Sequence, residues 1–553
     1  MNATLPTHAE PIHHSLLVSD INRQFPQCAP VFAKYGIAGC GGEYGPPEPL
    51  FIFAAAHRVP VADLVAELNA AVRGEWKDDR ASPAAPAAEA ATEHLYKQFV
   101  FGSLVVALLA GFGLGLVNLL RIADAGNYYA ISGVLKQAHG HAQIFGWVGL
   151  LIMGVALHAV PRMKMQPVRP VWAARLVLWL MLAGVALRLT GIRPVVVGSA
   201  VMELVGVGLF VWIMAGVVVR SDQTREPYEK FILASVAWLL VLAVANVWIV
   251  WQRMPALWHT LWIQAALFGF VANMIFGFSL RVLPHFLGLR ESKTWAANLA
   301  FWLWNAAILI RYPVEARAWT ATWLEAVAIG LFVFALGIFA RRRTQIKIQG
   351  VDNTFAWFIS LGYAWLLLVA WVPFHSDVFR MSASSRHMMA LGFITPIMFG
   401  VAYRVLPIFN GVNLWSNRLM RASFGALALG STLSFAMAFN KAYETGWSYA
   451  WAAGAGSLLF VAFVMFGVNI AMTLRTQAEQ YVRGAVVKLT TRITELLEEA
   501  PELRPVLIHN GLGGLAAMRH NPPRFVTLEF AARRHGIDPA PLLAALNAAV
   551  RKD

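Results

Sequence analysis

Five histidines stand at the ends of long apolar segments, and imidazole is a common ligand of haem iron and copper. They are His139 and His141 in the sequence HGHAQ, His259 and His387 at the start of apolar segments, and His375 at the end of one. Ligating side chains are costly inside a membrane span, which makes them functional candidates by default. The alternative for a single histidine, above all His259 or His375, is a hydrogen-bonded contact between helices. The pattern predicts a haem or haem-copper site built from these five residues.

The apolar segments contain a threefold repeat that brings the histidines into register. Three segments end on a proline that glycines precede by seven and fifteen residues: Pro161 after Gly154 and Gly146, Pro284 after Gly277 and Gly269, and Pro407 after Gly400 and Gly392. Twenty residues before the prolines lie His141, Gln264 and His387. At about 1.5 Å per residue this spacing is roughly 30 Å, the thickness of the hydrocarbon core. The histidines are therefore predicted to share the membrane face opposite the prolines, while the glycines allow close helix packing.

His141 and His387 occupy equivalent positions of two repeats, which predicts that they ligate one haem iron from its two sides. Side chains two residues apart on a helix point about 200° apart, so His139 cannot easily share the metal of His141. We expect His139 to serve a second centre, a haem or a copper ion, together with His259 or His375.

Other polar residues near these histidines, or within the apolar segments, are candidates for supporting roles. Arg380 and Arg386 precede His387 and could pair with haem propionates, or else with lipid headgroups. Glu203 and Glu325 are the main carboxylates inside the apolar segments and are candidates for a proton path.

The composition indicates what kind of protein positions these residues. Hydrophobic residues make up 58% of the 553 residues, charged residues only 14%, and the mean hydropathy is +0.57, which excludes an ordinary soluble globule. Runs of about 20 apolar residues predict an all-α fold with about twelve transmembrane helices, in three four-helix repeats. The formal charge of +15 lies mostly in short connections, so it indicates membrane topology and gives no support to nucleic-acid binding.

The same connections predict the orientation in the lipid bilayer. Lys and Arg are concentrated in alternate connections, for example at residues 162–175 and 341–347. Basic connections stay in the cytoplasm, and an even number of spans leaves both ends of the chain on one side. We therefore predict a multi-pass protein with both termini cytoplasmic.

Two polar regions flank the apolar segments and resemble each other. Residues 18–73 and 493–551 share a spaced Pro, Pro, Gly pattern and the sequence LNAAV. This predicts a small helical domain at 15–75, an Ala/Pro linker at 76–94, the membrane domain at 95–476 and a second small domain at 485–553. Both cysteines, Cys28 and Cys40, lie in the first copy, and two are too few for a disulfide framework. Cys40 is a candidate thiol site, with a buried or idle cysteine as the alternative.

Three sequences of the apolar segments carry a family resemblance. HGHAQIFGWVGLLIMGVALHAVPRM (139–163), RVLPHFLG (281–288) and HMMALGFITPIMFGVAYRVLPIF (387–409) resemble the NnrS family, over roughly residues 95–475. The resemblance implies a twelve-helix protein of the bacterial inner membrane that contains haem and copper. It also implies binding or reduction of nitric oxide in denitrification or nitrosative stress, and leaves open whether the chain is a nitric oxide reductase-like oxidoreductase.

The spans are also similar to subunit I of haem-copper oxidases and nitric oxide reductases. That superfamily has paired histidines on its seventh helix, whereas residues 294–311 contain none, and the HxH pattern falls here on the second span. This departure weighs against an oxidase-type binuclear centre and against oxygen reduction.

The flanking regions resemble the small N-terminal domain of di-iron cluster-repair proteins, a resemblance that VSDINRQFPQCAPVFAKYGIAGCGG (18–42) carries. It implies a cytoplasmic redox or cluster-repair partner. Two other functions stay open: a transporter, which internal repeats would suit, and a scaffold or sensor that docks such a partner through its terminal domains.

Overall fold

The structure is a computed structural model. It describes residues 12–14, 16, 18–34, 50, 54, 59–76, 94–164, 166–221, 226–311, 318–340, 352–372, 383–410, 414–439, 446–476, 481, 484–512 and 526–550. The described residues form helices and no strand, apart from one isolated bridge between Arg492 and Thr527. The predicted all-α class is confirmed.

Twelve helices follow one another in the described chain between residues 95 and 475. They are α1 Leu95–Ala125, α2 Gly133–Pro161, α3 Val171–Arg188, α4 Arg193–Val219, α5 Glu229–Trp251, α6 Ala256–Pro284, α7 Thr294–Arg311, α8 Ala318–Leu336, α9 Thr354–Trp371, α10 Ser385–Pro407, α11 Asn417–Phe439 and α12 Gly446–Arg475. Within the described residues, ten of them are long and apolar enough to cross a membrane, namely all except α7 and α11. The protein is a multi-pass membrane protein, and the count of twelve spans stays a prediction.

Three of these helices form the centre of the bundle. The most apolar parts of α2, α6 and α10 are 78%, 83% and 83% buried by other helices, against 28–56% for the other spans. A helix that is apolar on all sides in the middle of a membrane protein must be covered by protein, whereas the outer helices keep a lipid-facing side. The inner helices are the three that carry the repeated prolines.

Each inner helix contains a π-helical segment at a similar place. The segments are Ala142–Gly149, Ala266–Ala272 and Met388–Ile394, and they end 12, 12 and 13 residues before the repeat proline. π-helices are rare and occur mostly at functional sites. The recurrence supports the threefold repeat, which stays a prediction.

The repeated glycines lie where each inner helix crosses the helix that precedes it. A Cβ atom on Gly154, Gly277 or Gly400 would come within 2.5, 2.7 or 2.8 Å of atoms of α1, α5 or α9. Only glycine permits these approaches, so the packing interpretation of these three glycines is confirmed.

The terminal regions form hydrophobic clusters of their own, one between Ile12 and Ala71 and one between Tyr481 and Leu546. Their helices are Val18–Gln24, Ala29–Lys34 and Val61–Val72 at the N-terminal end, and Ile493–Glu499, Arg504–Leu507, Leu528–Arg534 and Pro539–Val550 at the C-terminal end. Asn69 bonds the backbone N and O of Ile12, and Asn547 bonds those of Val487 in the same way. The shared contact supports a duplication, and the domain boundaries stay a prediction.

Candidate functional site

His141 lies on α2 at the centre of a buried polar network. Its Nε2 atom is 2.7 Å from Oε1 of Glu203 on α4, and neither side chain is exposed. Asn246 donates to the other carboxylate oxygen at 2.9 Å, and Arg188 donates to Asn246 at 3.0 Å. The Nδ1 atom of His141 is buried and has no hydrogen-bond partner. When Nε2–H donates to the carboxylate, Nδ1 therefore keeps a free lone pair that can ligate a metal.

A glycine on α3 makes room for the carboxylate. A Cβ atom on Gly184 would stand 2.5 Å from Cγ of Glu203 and 3.1 Å from the Ser199 carbonyl oxygen. No residue larger than glycine fits here without moving Glu203, so close contact between α3 and α4 positions the partner of His141.

Trp262 on α6 lies between two imidazoles. Its ring stacks on His141 at 5.3 Å between centroids and on His259 at 5.8 Å, with interplanar angles of 18° and 27°. The indole N–H donates to the Leu242 carbonyl at 2.8 Å, which fixes the ring. Nε2 of His259 is buried and has no partner, so this region holds a second unpaired imidazole nitrogen.

His139 points toward α1. Its Nδ1 atom is 2.9 Å from the Gly111 carbonyl oxygen, which ends the π-helical turn Ala107–Gly111. A Cβ atom on Gly115 would lie 2.7 Å from Cε1 of His139, so the ring packs directly on the α1 backbone. A metal-ligating histidine usually donates its other ring N–H to a carbonyl or carboxylate in this manner. The contact leaves Nε2 as the nitrogen of His139 that could ligate a metal.

The electrostatic neighbours of the histidines fall into two regions. His387, which is exposed, lies within electrostatic range of His139. His259 lies within electrostatic range of His141. The division of HxH between two regions agrees with the 200° between its side chains. The pairing of His141 with His387 stays a prediction.

The other predicted site residues have separate positions. Arg386 lies within electrostatic range of His259. Glu325 on α8 forms a buried ion pair with Arg311, at 2.9 and 2.5 Å to its two carboxylate oxygens. His375 and Arg380 lie outside the described residues.

Four groups that position the histidines were not predicted as site residues: Arg188, Asn246, Trp262 and Gly115. Asn246 and Arg188 are polar residues within the predicted spans, which is a usable signal. Trp262 and Gly115 follow no pattern that distinguishes them from packing residues.

The two cysteines differ in what the structure shows. Cys28 is buried, its thiol contacts the Leu68 carbonyl oxygen at 3.5 Å, and burial raises its pKa to about 12. A neutral buried thiol is a poor nucleophile and a poor ligand. Cys40, the candidate thiol site, lies outside the described residues.

The donor set fits a haem better than a copper ion bound by several side chains. In the part of the chain that the structure describes, no three His, Cys, Asp or Glu side chains come together in a metal-binding group. A porphyrin supplies four nitrogen ligands to its iron, so one or two imidazoles complete the coordination. His139 with His387 is a candidate group of that size, whereas the Trp262 ring separates His141 from His259.

Comparisons with known proteins agree with this architecture. A family model described as "NnrS protein" matches residues 97–477. A solved structure titled "Cryo-EM structure of a heme-copper terminal oxidase dimer provides insights into its catalytic mechanism" is 12% identical, covers 77% of this chain and 90% of its own, and has a TM-score of 0.54. At this identity the likeness concerns the fold. No curated protein matches the chain.

Proposed function

The chain belongs to the NnrS family, and from this premise we propose that it is a haem-containing membrane protein that binds or reduces nitric oxide and protects the cell against nitrosative stress. The observation that carries the proposal is the His139 side chain. The Gly111 carbonyl accepts its Nδ1–H and Nε2 is left available for a metal, while the exposed imidazole of His387 lies within electrostatic range.

In this proposal His139 on α2 and His387 on α10 would hold the haem. When bound, haem would supply an iron that can coordinate nitric oxide; because the porphyrin and two imidazoles fill its six positions, one of the two histidines would have to release the iron first. Gly111 and Gly115 orient the His139 ring, and Arg386 is a candidate to pair with a propionate.

His141 and His259 each keep a buried unpaired ring nitrogen and are candidate ligands for a further haem or copper, but they would not share one metal ion, because Trp262 lies between them. Glu203 holds His141 in one orientation, and the indole of Trp262 stacks on the imidazoles of both His141 and His259. Glu203 is thereby a positioning residue for His141. Glu325 forms an ion pair with Arg311, which argues for a structural role of this carboxylate in the second four-helix repeat.

We place the protein in the bacterial inner membrane with both termini cytoplasmic. A second candidate function is docking of a redox or cluster-repair partner through the terminal regions, which their resemblance to a cluster-repair domain suggests. It is compatible with the first, since partner and haem would use different parts of the chain.

The test is an anaerobic titration of the purified, reduced full chain with nitric oxide, followed by visible absorbance. We expect a haem spectrum that shifts saturably on titration. An electrode that records loss of nitric oxide in the presence of an electron donor separates reduction from binding. Purified protein with no haem absorbance would contradict the proposal and favour transport or docking.

A further inference from the structure

An ionisable side chain recurs near the C-terminal end of each inner helix, which on α2 and α10 is the end away from His141 and His387. The residues lie three positions before the repeat prolines, and each packs on an aromatic ring: His158 on Tyr96 at 4.6 Å, Arg281 on Tyr228 at 5.8 Å and Arg404 on Phe355 at 5.7 Å. In each four-helix repeat the aromatic ring comes from the segment before the inner helix: Tyr96 lies in α1, Tyr228 directly before α5 and Phe355 in α9. The repeat therefore builds three comparable niches at this end of the bundle.

Arg404 is more deeply buried than Arg281, the other arginine of the three. It is 7% exposed, and its Nε atom is buried without a hydrogen-bond partner. Phe286 and Phe355 cover the guanidinium at 5.3 and 5.7 Å. Aromatic faces stabilise a cation but accept no strong hydrogen bond from it. A buried arginine of this kind normally has an anionic partner, because an uncompensated buried charge is costly.

Arg404 also lies within electrostatic range of a second cation. This is Arg534, on the last turn of Leu528–Arg534 in the C-terminal region. Like charges repel more strongly at a poorly solvated site than in water. In the described chain no carboxylate pairs with Arg404, so its buried charge has no anionic partner there.

We propose that Arg404 binds a phosphate group at this end of α10, with Arg534 of the C-terminal region as a second donor. Guanidinium groups present paired N–H donors that match the oxygens of a phosphate. The site lies near the end of a predicted span, at the depth where lipid headgroups carry phosphates. The phosphate can belong to an anionic phospholipid or be free in solution.

The test measures the melting temperature of the full chain in detergent while phosphatidylglycerol or inorganic phosphate is added, with phosphatidylcholine as the zwitterionic comparison. A ligand that binds only the folded state raises the melting temperature saturably. A shift with phosphatidylglycerol alone identifies the lipid source, and a shift with inorganic phosphate identifies the free anion. Either result supports the site.

Variants assign the shift to these arginines. Arg404→Gln is expected to raise the ligand concentration at half-saturation by about tenfold, because it removes charge-assisted hydrogen bonds. Arg220→Gln is the matched control: this exposed arginine donates only to a backbone carbonyl in the described structure, and its loss should leave the shift unchanged. If Arg404→Gln does not fold, Arg534→Gln tests the same site from the C-terminal region. No shift with any phosphate, or an equal shift in the site variants, overturns the proposal.

Discussion

Single contacts decide which nitrogen each histidine offers. His139 bonds the Gly111 carbonyl through Nδ1 and keeps Nε2 for a ligand, whereas His141 bonds Glu203 through Nε2 and keeps Nδ1. The partner of one ring nitrogen determines the role of the other. Two histidines of one HxH motif therefore present opposite nitrogens to two different regions.

Replacing Gly115 should disturb His139. In Gly115→Ala the new Cβ would lie 2.7 Å from the imidazole, which must turn and lose its bond to Gly111. We expect a lower haem content in the purified variant, measured by absorbance per chain. Gly454→Ala is the control, since a Cβ there meets nothing within 4 Å. Equal haem content in both variants would argue against the orientation of His139 by α1.

The Cys28 thiol should resist alkylation. Its pKa rises from 9.0 to about 12 on burial, so folding favours the protonated thiol. This contribution to stability is full below about pH 9 and is lost as the pH rises through about 12. We expect mass spectrometry to show slow iodoacetamide modification of Cys28 in folded protein at about pH 9 and fast modification after unfolding. Fast modification of the folded chain at that pH would disprove this burial.

At the scale of elements, glycines and π-turns fix how the helices meet. The inner helices α2, α6 and α10 each have a π-helical segment and a glycine that touches the preceding helix. A π-turn breaks the regular backbone hydrogen-bond pattern, which changes the direction of the side chains around it. The candidate ligands lie directly before the π-helical segments of α2 and α10, where small changes in packing would move them.

The contact of α3 with α4 gives an element-scale prediction. Gly184→Ala should lower the melting temperature, because its Cβ would push Glu203 away from His141 and disrupt a buried network. Gly208→Ala, where a Cβ meets nothing within 4 Å, should be neutral or stabilising by about 0.5–1 kcal/mol. Thermal unfolding in detergent measures both. A stability of Gly184→Ala equal to that of Gly208→Ala would show that this close approach is not required.

The sequence predicts the inner helices but not the contacts that orient their histidines. The intervals between proline and glycine identify α2, α6 and α10, because close packing in lipid restricts those positions to small residues. The His139 ring is oriented by Gly111 and Gly115 on α1, through contacts that have no sequence pattern. The hydrogen bond between Glu203 and His141 is likewise non-local, since it joins residues 62 positions apart.

At the scale of the whole molecule, the bundle has two chemically different ends. The candidate ligands His139, His141 and His387 lie at one end, while Arg281 and Arg404 lie at the other, with Arg534 of the C-terminal region within electrostatic range of Arg404. The basic connections predict that this second end faces the cytoplasm, where a bound phosphate and a docked partner would both be accessible. The haem region then faces the opposite side.

Reporter fusions test this orientation. Green fluorescent protein fused after the C-terminal residue should fluoresce, because it folds in the cytoplasm, and alkaline phosphatase at the same place should be inactive. A fusion within the connection from α1 to α2 should give the reverse. Active phosphatase at the C-terminus would overturn the predicted topology.

The haem content of His139→Ala and His387→Ala tests the central claim most directly. Both variants and wild type are purified as the full chain, and haem per chain is measured by absorbance. The control is His158→Phe, which replaces an aromatic ring packed between Tyr96 and Phe409 at the other end of α2. We predict that both ligand variants lose haem while the control retains it. Haem at the wild-type level in His139→Ala and His387→Ala would contradict ligation by this pair.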